Sequence, residues 1–145
     1  MLGDRIGEER GRVTGRRTLK SGDPRYLKME VSFEADGTVY GVPYRGFGTY
    51  EVFERVPGQL YGEGQGMIHT QDGEGAIWNG HGVGTVTPEG GLRFAASCTY
   101  QAPHTGKLAR LNAVLVVVEH TAAADGSVRS MLTEWKGLSA SSMEQ

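Results

Sequence analysis

The chain has 145 residues, a formal net charge of −2 and one cysteine. This length fits a single domain over residues 1–145, and one cysteine excludes an intrachain disulfide. The nearly balanced charge argues against nucleic acid or a membrane surface as a partner, and no apolar run is long enough for a membrane helix. We therefore expect a cytoplasmic protein with frayed tails at residues 1–8 and 137–145.

Basic residues are concentrated in the first twenty positions of the chain. This cluster is typical of a solvated edge strand, and a phosphate-binding arm is the alternative interpretation. Glycine is the main departure in composition, with 23 residues against five prolines. Abundant glycine with little proline and ordinary hydrophobicity indicates strongly bent strands and tight turns.

Apolar and polar residues alternate along most of the chain, and no segment has helical periodicity. Turn dipeptides such as Asp36-Gly37, Asp72-Gly73 and Asp125-Gly126 separate the alternating segments. The predicted strands cover residues 9–19, 26–35, 38–42 (interrupted by Pro43), 47–56, 59–71, 74–86, 92–101, 108–121 and 128–135. The sequence therefore predicts an all-β fold: a small antiparallel closed β-barrel of about eight strands, mostly an up-and-down meander. A two-sheet sandwich is the alternative.

The hairpin over residues 59–86 is unusually rich in glycine. If Asp72-Gly73 is a two-residue turn, paired positions sum to 145, and large side chains on each face meet glycines. Such a pattern permits tight curvature or leaves room for a ligand. We expect the face with Tyr61, Glu63, Gln65, Met67 and Trp78 to line the interior, although the sequence does not decide between the two faces.

A carboxylate beside aromatic side chains is a plausible general acid or base. The candidate catalytic residues are Glu63 and, as alternatives, Glu119 and Glu134. Groups that hydrogen-bond a ligand or form a cavity wall complete the predicted site: Tyr61, Gln65, Met67, Trp78, Tyr100 and Asn112. The last two carboxylates and Asn112 could equally be structural partners of Arg93, Arg110 or Arg129.

Metal and nucleophile chemistry has weak support in the sequence. The predicted register puts His69 and His81 on opposite faces, and the histidines are interpreted as polar surface residues, so no metal and no cofactor is expected. Cys98 alternates in phase with Phe94 and Tyr100, which indicates a buried small hydrophobic residue.

The segment 62–84, together with residues 107–112 and 134–136, resembles a group of small uncharacterised bacterial proteins. Those proteins look like relatives of the allene oxide cyclase barrel, one of the calycin-like folds. The resemblance implies an eight-stranded barrel with a mostly apolar central cavity, and it brings no activity and no site residues.

Together these patterns predict a small-molecule-binding barrel. The working hypothesis is an isomerase, cyclase or lyase that acts on a hydrophobic substrate by carboxylate acid/base catalysis. A non-catalytic carrier or sensor, or a structural barrel filled by side chains, is the alternative. A hydrophobic small molecule is the expected partner, and assembly into a homo-oligomer is left open.

Overall fold

The structure is a computed structural model and describes residues 2–136. Eight antiparallel strands form a closed barrel in which each strand pairs with its sequence neighbours and the last pairs with the first. The strands are β1 (Leu2–Leu19), β2 (Lys28–Val39), β3 (Val42–Val56), β4 (Gln59–His69), β5 (Gly75–Val86), β6 (Leu92–Gln101), β7 (Val116–Ala122) and β8 (Ser127–Trp135). The predicted closed meander is confirmed, and the sandwich alternative is excluded.

The first strand begins earlier in the chain than the sequence predicted. Leu2 already pairs with Trp135, so the segment 2–8, expected to fray, belongs to β1. Because the closed barrel pairs β1 on both sides, this basic strand is not an edge strand. The tail 137–145 lies outside the described residues. Within residues 2–136, no helix combines the length and apolar character needed to cross a membrane.

The predicted turn at Asp36-Gly37 was wrong, because β2 continues through both residues. The chain reverses instead at Tyr40 and Gly41, which have φ values of 49° and 76°. Two consecutive residues with positive φ are the signature of a type I′ turn, whose twist suits a two-residue hairpin.

The apolar run predicted as one strand over residues 108–121 divides into two elements. A short 3-10 helix spans Ala109–Ala113, and β7 begins only at Val116. Leu108 and Leu111 are 1% and 0% exposed and pack into the core at this end of the barrel. The first half of the run is therefore apolar because it plugs the barrel.

The barrel interior contains two clusters of buried side chains. One gathers at the plugged end around Leu108, Leu111 and Ile68. The other gathers toward the opposite end around Val31, Phe33 and Phe94. Trp78 packs against both clusters and so connects the two halves of the core.

Aromatic rings lie directly on glycines of neighbouring strands. A Cβ atom at Gly66 would lie 2.5 Å from Cε2 of Trp78, and one at Gly48 would lie 3.0 Å from the edge of the same ring. A Cβ atom at Gly62 would lie 3.1 Å from the Phe94 ring. Such distances are below van der Waals contact, so these positions need glycine to admit the rings.

We predict that Gly66→Ala lowers the free energy of unfolding by about 1–3 kcal/mol, because the new methyl group overpacks the core against Trp78. Gly15→Ala is the matched control, since no atom lies within 4 Å of its Cβ position. Urea unfolding followed by circular dichroism measures both. Equal stability of the two variants would contradict a packing role for Gly66.

Candidate functional site

The glycine-rich hairpin has a register one residue away from the prediction. Glu63 pairs with His81 and Gly64 pairs with Gly80, so paired positions sum to 144. The turn is longer than two residues: the Thr70 amide donates to the Glu74 carbonyl at 2.8 Å, and Gly73 has a φ of 88°. A one-residue slip moves every side chain of the second strand to the other face.

The slip separates Trp78 from the face of β4 with which it was predicted to lie, and the predicted inward face of β4 was wrong. Its glycines line the interior, and the four other candidate residues of this strand lie on the outer surface: Tyr61, Glu63, Gln65 and Met67. The Tyr61 hydroxyl donates to Oε1 of Glu63 at 2.7 Å in an exposed position. Trp78 does point inward, where its ring covers two glycines.

Neither of the other two candidate carboxylates belongs to the cavity lining. Glu119 is exposed on the outer face of β7. Oε2 of Glu134 accepts from the Tyr40 hydroxyl at 3.0 Å and lies 3.9 Å from the Arg110 guanidinium. This contact matches the structural alternative for Glu134. A catalytic role for any of these carboxylates stays a prediction.

Asn112 and Tyr100 have different surroundings. The Asn112 side chain accepts from the Ala102 amide at 2.8 Å and donates to the Ala102 carbonyl at 2.9 Å. These two bonds hold the loop before the 3-10 helix, a structural task. Tyr100 is buried inside the barrel and lines its cavity.

Side chains fill most of the barrel interior and leave a cavity of about 80 Å³. A cavity of about 150 Å³ can hold benzene, and ordinary ligand pockets exceed about 300 Å³. The space therefore suits several water molecules or a ligand of a few non-hydrogen atoms. Its lining is mainly aromatic rings and glycines, and the inward-facing polar residues are Glu9, Tyr50, Tyr100, His120 and Ser130. Glu63 and His81 also border the cavity, although both residues are exposed on the outer side of their strands.

Most of the polar groups belong to one row of cross-strand pairs that runs around the barrel from β7 to β3. His120 pairs with Ser130, Ser130 with Glu9, and Glu9 with Gly37. Gly37 in turn pairs with Tyr44. A Cβ atom at Gly37 would lie 2.9 Å from Cζ of Tyr44, so the missing side chain lets the tyrosine reach across β2 toward Glu9. We call the five hydrogen-bonding residues of this region the polar layer: Glu9, Tyr44, Tyr50, His120 and Ser130.

Hydrogen bonds connect the members of the polar layer. The Tyr44 hydroxyl donates to Oε2 of Glu9 at 2.8 Å. Nδ1 of His120 lies 2.8 Å from Oγ of Ser130, and Nε2 lies 3.3 Å from the Tyr50 hydroxyl. Within residues 2–136, every fully buried side-chain nitrogen or oxygen has a partner. The layer is therefore a satisfied network inside an otherwise apolar core.

Burial shifts the proton affinities of the two ionisable members in opposite directions. Desolvation lowers the pKa of His120 to about 4, so the imidazole is neutral at pH 7. Desolvation raises the pKa of Glu9, and hydrogen bonds from Tyr44 and Ser130 offset part of that effect. A neutral imidazole has one donor and one acceptor nitrogen, so His120 can donate a hydrogen bond to one of Ser130 and Tyr50 and accept one from the other.

The network does not have the geometry of a nucleophilic triad. A triad needs the carboxylate on the far side of the histidine from the serine. Here Ser130 stands between Glu9 and His120, and the second imidazole nitrogen faces Tyr50. Burial also raises the pKa of Cys98 to about 12, which keeps this cavity-lining residue in its less reactive thiol form. The arrangement can bind polar groups and exchange protons.

Some of the histidines do not lie where the sequence pattern predicted. His120 is buried in the polar layer, although the sequence interpretation assigned all histidines to the surface. His69 and His81 both lie on the outer side of their strands, because the register differs from the predicted one. Among the described residues, no group of three or more potential ligands could hold a metal ion.

Sequence reasoning missed Glu9, Ser130 and His120, although one signal was present. His120 alternates in phase with Val116 and Ala122, which places it on the buried face of β7. Glu9 gives no comparable signal, because the glycines of β1 obscure the alternation around it. Its position becomes visible only when β1 closes the barrel against β8.

Comparisons with known proteins support the fold and leave the activity open. No protein-family model matches the chain, and no curated protein matches it in sequence. A protein of unknown function from Clostridium acetobutylicum superposes with a TM-score of 0.77 at 11% identity, covering 92% of this chain and 97% of that chain. A β-barrel-like protein from Acinetobacter baumannii superposes with a TM-score of 0.77 at 11% identity, covering 94% of this chain and 96% of that chain. A conserved protein of unknown function from Rhodopseudomonas palustris superposes with a TM-score of 0.71 at 13% identity, covering 92% of this chain and 97% of that chain.

These similarities show a shared barrel fold, and identities this low carry nothing further. The barrel is consistent with the predicted kind of family, and the relation to allene oxide cyclases stays a prediction.

We predict that the described network makes the fold sensitive to acid. The unfolded chain protonates histidine near pH 6.5, whereas folded His120 resists protonation until about pH 4. Its stabilising contribution is therefore complete above pH 6.5 and falls by about 3 kcal/mol as the pH approaches 4. Urea unfolding over pH 4–7 should show a flatter profile for His120→Asn. The exposed residue His104 provides the control His104→Asn, and an equal flattening there would contradict the assignment.

Glu9 should have the opposite dependence on pH. Its folded pKa is raised, so its stabilising contribution is complete below the ordinary carboxyl pKa and is lost as the pH rises through the raised value. The variant Glu9→Gln keeps an acceptor for Tyr44. We predict that the free energy of unfolding of this variant, relative to that of the wild type, is higher at pH 8 than at pH 4. Glu63→Gln on the outer face is the control. No change in pH profile for Glu9→Gln would show that Glu9 is not desolvated.

Proposed function

We propose that the barrel binds a small, mainly apolar molecule that carries one oxygen acceptor, with that oxygen bonded by Tyr100. The single supporting observation is the state of the Tyr100 hydroxyl. Tyr100 is 9% exposed and lines the cavity, yet its hydroxyl makes no hydrogen bond with any residue in the described part of the chain. Since no fully buried polar atom there lacks a partner, open space must still reach this oxygen.

A phenol hydroxyl held against an apolar cavity is a strong candidate for ligand recognition. Because open space reaches this donor, water can satisfy it in the unliganded protein, and a ligand oxygen that takes the place of that water forms a hydrogen bond worth about 1 kcal/mol. Burial also raises the pKa of Tyr100 well above its ordinary value, so the group stays protonated and remains a donor. The small cavity volume favours a compact ketone, aldehyde or ether as the ligand class.

We expect 2-butanone to bind in the cavity and 2-methyl-1-butene, which replaces the carbonyl oxygen by CH₂, to serve as its nonpolar analogue. Titrations followed by two-dimensional NMR should shift the amides of Ala96 and Val118, which belong to the cavity lining. Tyr100→Phe should weaken 2-butanone binding roughly tenfold, the value of one hydrogen bond, and leave the alkene unaffected.

Ala96→Val supplies the control for occupancy of the cavity. Its added methyl groups should fill the cavity and abolish the binding of both molecules. If both variants bind 2-butanone as the wild type does, the molecule occupies some other surface and the proposed site is wrong.

A second candidate function is acid/base catalysis by Glu9 in the same cavity, as in an isomerase, cyclase or lyase. The supporting observation is a carboxyl group whose pKa is raised by burial and which lines the cavity. Carboxyl groups whose pKa is raised by burial serve as general acids or bases in enzymes. Glu9 thereby replaces Glu63, Glu119 and Glu134 as the preferred catalytic group.

The test is the exchange of the α-hydrogens of 2-butanone for deuterium in D₂O. Exchange requires enolisation, which a positioned acid or base accelerates. We expect the wild type and Glu63→Gln to exceed the buffer rate and Glu9→Gln to match it. Equal rates for Glu9→Gln and the wild type would eliminate catalysis by Glu9 while leaving ligand binding intact.

A further inference from the structure

A cleft of about 840 Å³ lies against the barrel wall near the β3–β4 turn, and His120 is the one member of the polar layer in its lining. Three arginines from different strands line it, with Glu119 as the only carboxylate: Arg55, Arg93 and Arg129. Its volume falls within the range of ordinary small-molecule pockets, about 300–1,000 Å³.

The arginines of the cleft lack counter-charges. Among the described residues, none of the three makes an ion pair, even though Glu119 is nearby. Arg55 stacks instead on the Tyr61 ring, 4.0 Å from its centroid. Three guanidinium groups with one unengaged carboxylate leave the cleft with an excess of positive charge in a chain whose net charge is −2.

The strand register brings two of these charges close together. Thr121 pairs with Arg93 on one side and with Arg129 on the other, so the two arginines stand two strand spacings apart, about 10 Å. Arg129 also pairs directly with Arg10. Like charges in opposite positions are destabilising, and an anion bound between them would relieve that repulsion.

Asp36, the carboxylate opposite Arg10, is already engaged. It pairs with Arg10 in the register, but its Oδ1 accepts from Arg45 at 3.0 Å. The cross-strand row therefore contains more guanidinium groups than carboxylates available to neutralise them.

The remaining lining indicates an organic anion. Gln59, Thr85 and Thr121 supply neutral hydrogen-bonding groups, and Val83 and Met131 supply an apolar surface. Guanidinium groups recognise phosphate through paired, charge-assisted hydrogen bonds. We propose that this cleft binds a small organic phosphate, with the phosphate between Arg93 and Arg129 and the organic part against Val83 and Met131.

The test uses phenyl phosphate as the probe in NMR titrations at constant ionic strength. We expect saturable shifts at the amides of Thr85, Arg93 and Thr121. Benzyl alcohol, which lacks the charge, should give none. Inorganic phosphate should bind more weakly because it lacks the apolar group.

Charge-removing variants locate the site. Arg93→Gln combined with Arg129→Gln should weaken phenyl phosphate binding by roughly tenfold or more, since each loses a charge-assisted bond. Arg17→Gln, an exposed arginine of β1 outside the cleft, should bind as the wild type does. A spectrum that otherwise overlays with the wild type verifies that each variant is folded. Equal affinity in the double variant, or equal weakening by Arg17→Gln, overturns the proposal.

Discussion

The barrel depends on aromatic rings that pack onto glycines of adjacent strands. Trp78 covers Gly66 and Gly48, and Phe94 covers Gly62. This contact lets a large ring lie almost on the backbone, so a small number of rings fills the lumen of eight strands. The abundant glycine therefore has a packing function, and the cavity is what remains after the rings are placed.

Polar groups enter this interior at one level of the barrel wall. The members of the polar layer share one cross-strand row or bond to it, so each has a hydrogen-bond partner, either on the neighbouring strand, as for His120 and Ser130, or farther around the barrel, as for Tyr44 and Tyr50. Because buried polar groups are tolerated only when they are satisfied, concentrating them in one row limits the desolvation cost. It also puts a neutral imidazole and a desolvated carboxyl within one connected network beside the cavity.

The sequence was sufficient for the fold and insufficient for the site, for a specific physical reason. Alternation and turn residues identify strands over several residues, so an error at one turn does not change the architecture. Which side chain faces inward depends on the register to a single residue. The turn at Asp72-Gly73 contains one residue more than assumed, so Trp78 and Glu63, which were predicted to share a face, lie on opposite faces, with Trp78 inside and Glu63 outside. Glu9 could not be found because its position at the cavity arises only when β1 pairs with β8, at the far end of the chain.

Trp78 has one more consequence, for the cooperativity of unfolding. It packs against the core at both ends of the barrel, so neither half can lose its packing while the other keeps its own. The closed ring of strand pairs also favours cooperative unfolding, because every strand is paired on both sides and none can separate as a free edge. We therefore expect this small barrel to melt as one unit, without a partly folded intermediate that exposes half of its core.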